Sequence, residues 1–174
     1  QPRWSEIVTN HDQTISLVQN IRLEEGWNLV SSRITPRSTD VVRLLDPILD
    51  GLVVMKNGGG DVFAPGEKNE IGTWDTSEAY MLYVTSGGTL SIEGNSLPSR
   101  KVILEPGWNF VPYLSDTDRP VEQVFESVGE ALVIVKNNKG QTYIPGYGVN
   151  ELGDLSPGNG YKVFVSETAT LTFP

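Results

Sequence analysis

The sequence predicts a mainly β fold: β-rich, with one short helix per unit, arranged as two tandem β-sandwich or barrel-like lobes related by approximate two-fold symmetry. Three observations predict it. Eighteen Gly and eleven Pro punctuate short Val/Ile/Leu/Tyr runs, which is the rhythm of strands and turns. Segments of the first half return in the second, in one order and at an offset of 80 or 81 residues. Self-similarity at a fixed period marks a repeat. At 174 residues, the chain is long enough to bury roughly 70% of its unfolded surface, so it needs no disulfide or metal to fold.

The repeat is read residue by residue. Leu23-Glu24-Glu25-Gly26-Trp27-Asn28-Leu29-Val30 returns as Leu104-Glu105-Pro106-Gly107-Trp108-Asn109-Phe110-Val111. Leu52-Val53-Val54-Met55-Lys56-Asn57 returns as Leu132-Val133-Ile134-Val135-Lys136-Asn137. Asn69-Glu70-Ile71-Gly72 matches Asn150-Glu151-Leu152-Gly153, and Tyr80 to Val84 matches Tyr161 to Val165. About twenty pairs are identical, more than chance produces in one order. The expected organisation is an arm with one strand over 1–20, a lobe over 21–95 and a second lobe over 102–174, with the lobes packed as one unit.

Each element follows from local pattern. Leu23 to Ser31 reads as an apolar strand interrupted by Gly-Trp-Asn. Val41, Val42, Leu44, Leu45, Ile48 and Leu49 fall near helical spacing, and Ser38-Thr39-Asp40 offer caps. In the second copy Pro120 suits a first helical turn, and Val121, Val124, Phe125 and Val128 repeat the face. Leu52 to Met55 is a continuous apolar run, as in a strand buried on both faces. Asn57-Gly58-Gly59-Gly60 and Asn137-Asn138-Lys139-Gly140 are hairpin turns. Asp61 to Ala64 and Gln141 to Ile144 are return strands stopped by Pro65 and Pro145. Ala79 to Val84 and Gly160 to Val165 alternate as half-buried strands do. Thr89-Leu90-Ser91-Ile92 closes the unit. Thr14-Ile15-Ser16-Leu17 resembles that closing strand; it either ends a preceding repeat or, the favoured reading, covers an open edge of the second lobe.

Composition narrows the function classes. Net charge is −9 with a pI near 4.5, and Lys and Arg form no cluster, so nucleic acid and anionic membrane surfaces are disfavoured partners. No run reaches 18 apolar residues, which argues against membrane insertion, and no signal peptide is visible. Gln1 is not an initiator Met, so the chain reads as a fragment of something longer. The absence of Cys removes disulfides, thiolate metal sites and Cys nucleophiles.

Catalytic signatures are missing. His11 is the single histidine and precedes the repeat; no HExxH, G-x-S-x-G or phosphate-binding loop occurs. Glu70 and Glu151, with Glu24 and Glu105, are carboxylates kept in both copies. A glycosidase pair needs two different environments at one cleft, so these read as structural and the chain as no enzyme. Asp61, Glu67, Asp75 and Glu78 supply oxygens of the kind Ca²⁺ takes, but without regular spacing; no cofactor is expected and Ca²⁺ is a minor alternative.

Trp27 and Trp108, kept in both copies, read as core residues with a Gly-built bulge beside them. Tyr80 and Tyr161 read as core or corner residues. Positions that differ between copies are the better functional candidates. Trp74 lies in the polar loop Gly72-Thr73-Trp74-Asp75, where the second copy has Leu155. Tyr147 lies in Pro145-Gly146-Tyr147-Gly148, where the first has Gly66-Glu67. Tyr143, Phe63, Tyr113 and Trp4 complete the aromatic set. Loop aromatics stack against sugar rings while Asn69, Asn150 and Asp75 take hydroxyls. The competing reading folds Trp74 back onto its own lobe.

The pattern Leu-x-x-Gly-Trp-Asn-Leu-Val-Ser, Val-Lys-Asn-x-x-Gly, Asn-x-Ile-Gly-x-Trp and Thr-Leu-x-Ile-x-Gly resembles a tandem Gly-Trp-Asn-type repeat module of large secreted bacterial multidomain proteins. Such modules stand beside carbohydrate-active enzyme domains or adhesin-like regions. The resemblance covers nearly all of the chain after residue 20 and departs at Leu155. It implies an extracellular or cell-surface location and an accessory role, and it transfers no ligand and no catalytic residue. Residues and resemblance together predict a noncatalytic carbohydrate-binding module, its partners a polysaccharide or cell-surface glycan and neighbouring domains of a larger chain. The alternative is a structural or adhesive spacer without a small ligand.

Overall fold

Strands dominate because the β-branched runs sit between turn residues the backbone cannot continue through. The structure, a computed structural model, describes residues 16–174. Trp4, His11, Thr14 and Ile15 lie outside the described residues.

In the first half the chain forms β1 (Leu17–Leu23), β2 (Gly26–Val30), β3 (Ile34–Pro36), α1 (Val41–Leu44), β4 (Leu52–Lys56), β5 (Val62–Ala64), β6 (Lys68–Asn69), β7 (Tyr80–Val84) and β8 (Gly88–Ser96). In the second it forms β9 (Lys101–Leu104), β10 (Gly107–Pro112), β11 (Arg119–Pro120), α2 (Val121–Val124), β12 (Leu132–Lys136), β13 (Thr142–Ile144), β14 (Val149–Asn150), β15 (Asp154–Leu155), β16 (Gly160–Val165) and β17 (Ala169–Thr172). The fold is mainly β, with all strand pairings antiparallel.

Each half carries a five-stranded sheet, ordered β2-β7-β4-β5-β6 in the first and β10-β16-β12-β13-β14 in the second. The registers correspond: Gly26 faces Val84, and Gly107 faces Val165. The irregularity between Leu52 and Val54 also has a counterpart, between Leu132 and Ile134. A smaller sheet closes each core, β1-β8-β3 in one half and β17-β9 in the other. The buried residues form two separate clusters. One draws on Ile21, Leu45, Met55, Tyr80, Leu82, Leu90 and neighbours, the other on Val102, Tyr113, Val135, Leu155, Val163, Leu171 and theirs.

Local chemistry explains the boundaries. Asp40 Oδ1 accepts from the Val42 and Arg43 backbone N–H groups at 2.9 and 3.4 Å, capping α1. Asn57 Oδ1 accepts from the N–H groups of Gly59 and Asp61 and holds the β4–β5 turn; Asn137 does the same with Lys139 and Gln141. Gly26 and Gly107, at φ +97° and +98°, turn the chain from the small sheet into the large one.

Three expectations need correction. Leu23 to Ser31 is not one strand: β1 and β2 belong to different sheets, because the left-handed Gly26 bends the chain between them. Leu17 does not cover the second half; it stands opposite Gly94 in the first. Nor is β4 buried on both faces, since Val53 is exposed: the bulge turns two successive residues toward solvent.

Candidate functional site

The two halves meet along β2 and β10, the edges of their large sheets. Ser31 N–H donates to Gly158 O at 3.1 Å, and Ser31 Oγ donates to Asn159 O at 2.7 Å. Tyr113 N–H donates to Ser31 Oγ at 3.0 Å, and Ala79 N–H donates to Phe110 O at 3.3 Å. Gly160 lies at the tightest approach: a Cβ built there would stand 2.4 Å from Ala79 Cβ and 3.1 Å from Leu29 Cγ. Only the absence of a side chain lets the halves come this close.

On either side of that contact the sheets diverge and leave a cleft. The first, of about 340 Å³, is lined by Arg22, Glu24, Asn28, Asn137, Asn138, Lys139, Gln141 and Asn159 over a floor of Leu29, Val30 and Gly160. The second, of about 480 Å³, is lined by Asp75, Ser77, Glu78, Lys101, Glu105, Asn109 and Trp108 with Gly58, Ile103 and Phe110. The strand registers make these related positions: Glu24 corresponds to Glu105, Asn28 to Asn109, Leu29 to Phe110, and Asn138 to Gly58. In the first cleft Asn138 Nδ2 reaches across and donates to Trp27 O at 2.6 Å. Gly58 has no side chain to do this beside Phe110, and the second cleft is the larger.

Trp108 is 51% exposed on the wall of the second cleft. Its ring meets Phe164 edge-on, with centroids 5.4 Å apart, and Lys136 Nζ lies 5.2 Å from its centroid. Trp27 is 40% exposed and has the same surroundings, Tyr83 at 5.2 Å and Lys56 at 5.3 Å. The expectation that both tryptophans fill the lobe cores is therefore corrected. Strand alternation turns Asn28 inward instead. Its amide donates to Glu24 O and Gly26 O and its Oδ1 accepts from Glu24 N–H, so it enters the interior fully bonded.

Carboxylates face Trp108's cleft. Burial holds the Glu78 carboxyl above the usual carboxylate range, with the negative charges of Asp75 and Asp61 adding to it. Tyr80 Oη accepts from Asp75 N–H at 2.8 Å and donates to Glu78 Oε2 at 3.3 Å, fixing this corner. Tyr161 Oη accepts from Ser156 N–H at the matching corner of the other half. Among the described residues no group of three or more His, Asp or Glu is placed to hold a metal ion.

The sequence-predicted platform does not assemble. Trp74 is buried, 3% exposed; its indole N–H donates to Ser32 Oγ at 2.9 Å and its ring lies 4.5 Å from that of Tyr80. Its backbone N–H donates to Thr39 O at 2.7 Å, and the adjacent Thr73 bridges to Asp40. That is the place of Leu155 in β15, itself fully buried. Phe63 is buried too. Phe63 pairs with Asn69 and Tyr143 with Asn150 across the outer hairpins, and none of the four lines a cleft. Asn69 Oδ1 and Asn150 Oδ1 accept from the Gly72 and Gly153 N–H groups, which gives both a turn-holding role. Tyr147 is 86% exposed but also lines neither cleft. Of the predicted set, only Asp75 borders one. No helix among the described residues is long and apolar enough to cross a membrane. Compared with family models, with curated proteins and with solved structures, the chain matches none.

Proposed function

We propose that the protein is a noncatalytic carbohydrate-binding module, built from two diverged copies of one β unit, acting outside the cell as an accessory to other domains. The carrying observation is the half-exposed Trp108 ring on the wall of an open cleft that also holds the carboxylates of Asp75, Glu78 and Glu105, the Ser77 hydroxyl and the Lys101 ammonium. A flat aromatic face receives the C–H face of a sugar ring, and nearby carboxylate oxygens accept its hydroxyls. The cleft is a groove rather than an enclosed cavity, which suits a polymer.

A structural or adhesive module is the competing reading. It is favoured by the Trp108–Phe164–Lys136 arrangement, because cross-strand aromatic pairs also stabilise a sheet by themselves.

Affinity electrophoresis against neutral plant and algal polysaccharides separates the two. The native chain is expected to be retarded by at least one, and Trp108→Ala to weaken that retention at least about tenfold. The same variant should lose only about 0.5–1.5 kcal/mol of stability, the worth of an aromatic pair. No retardation by any polysaccharide, or full retention by Trp108→Ala, refutes the platform. Glycan turnover that disappears in Glu78→Gln refutes the noncatalytic reading.

A further inference from the structure

The two clefts occupy corresponding places but have opposite chemistry. Arg22 and Lys139 against Glu24 give the first cleft one net positive charge; Lys101 against Asp75, Glu78 and Glu105 gives the second two net negative charges. Position by position, the register sets Arg22 against Ile103, Lys139 against Gly59, Gln141 against Asp61 and Asn159 against Glu78. The fold accepts either member of each pair, so folding does not require Arg22, Lys139, Gln141 or Asn159 at these positions.

Hydrogen bonding divides that cleft into used and free groups. The Asn28 and Asn137 amides are spent on the chain itself, and Asn138 Nδ2 is spent on Trp27 O. Gln141 Oε1 accepts from Asn137 Nδ2 at 2.7 Å, which leaves its own Nε2 donor free among the described residues. The ion pairs among the described residues are Arg37–Glu93 and Lys68–Glu70, so Arg22 and Lys139 have no acidic partner there. Two cations without an acidic partner among the described residues and an amide donor free among them thus share one groove of a chain whose net charge is −9. Unneutralised positive charge in such a field is a seat for an anion, and a guanidinium fork matches a carboxylate.

We infer that the first cleft is a second sugar subsite, selective for the carboxylate of a hexuronic acid, held by Arg22, Lys139 and Gln141. The inference rests on the carbohydrate-binding reading but uses a different cleft and different residues from Trp108. Leu29, Val30 and Gly160, all buried, close the bottom of the cleft beneath these polar groups.

Calorimetric titration at low salt tests it with trimers of galacturonate, guluronate and glucuronate, and with the galacturonate trimer fully methyl-esterified. The ester keeps the skeleton and removes the charge. At least one acid trimer is expected to bind and to weaken as salt rises. If that trimer is galacturonate, its ester should bind at least about tenfold more weakly. Arg22→Gln and Lys139→Gln sit on separate elements and are each expected to cost about fivefold or more in affinity for the acid. The inference is overturned if no acid trimer binds, if ester and acid bind alike, or if both Gln variants bind as the native chain does. Neutral glycan retention through Trp108 is unaffected by any of these results, so the two proposals fail separately.

Discussion

Replacing Trp74 by Ala tests the placement of this side chain most sharply, because the loop and core readings predict opposite results. The indole is 3% exposed, lies 4.5 Å from the Tyr80 ring and donates to Ser32 Oγ. A buried Trp→Ala change costs about 3–5 kcal/mol through lost burial and the cavity left behind. The Tyr80 contact accounts for roughly 0.5–1.5 kcal/mol of that range. Ser32 Oγ loses a donor but still donates to Ile34 O at 3.0 Å, so the lost hydrogen bond costs only about 1 kcal/mol. A total near 4 kcal/mol lowers the melting temperature by about 8–16 °C if the chain unfolds as one unit of this size. Trp74→Phe keeps most of the ring and should cost about 1–2 kcal/mol, chiefly the indole N–H. Thermal melting followed by circular dichroism, with urea midpoints as a second measure, reads both. Glycan retention by the folded fraction should not change. A melting temperature within about 2 °C of the native value, together with lost retention, would refute the burial of Trp74 and restore it as a loop platform.

Two further outcomes follow from the junction and the second cleft. Gly160→Ala forces a Cβ against Ala79 at 2.4 Å and should cost about 1–3 kcal/mol of overpacking; adding Ala79→Gly should recover most of it, and a neutral single variant would show that the halves do not meet there. Glu78 titrates above the usual carboxylate range because folding buries it. Its contribution to stability is therefore present below the unfolded value and lost as pH rises through the folded one. Glu78→Gln should match the native chain in acid and become the more stable of the two as pH climbs through that window. Urea midpoints across the pH series check this, and a less stable variant at neutral pH would contradict it.

Much of the framework was legible because its causes are local. The turns at Asn57 and Asn137 are set by amides bonding backbone groups four residues away or nearer, and Asp40 caps α1 within three residues. Facing was harder to read. In Gly-Trp-Asn-Leu-Val the polar Asn28 turns inward and Trp27 outward, and a rule that sends large apolar residues to the core inverts both. The alternation of β7 held the missing signal: Leu82 and Val84 are buried while Tyr83 is exposed, and Tyr83 pairs with Trp27. Trp74 misled for the opposite reason. Its neighbours Thr73 and Asp75 are exposed, yet a single residue in a short bridge points in and reaches Ser32, 42 positions away. The clefts were out of reach altogether, since the first gathers residues from Arg22 to Gly160 and no spacing rule links them.

Because the buried clusters stay within their own halves while each cleft borrows walls from both, neither half owns a grip. Were the two halves to part, each buried cluster would keep its own residues while both clefts lost a wall. On the proposed function, a sugar lodged in either groove would touch both halves at once, and its binding would favour their docked arrangement.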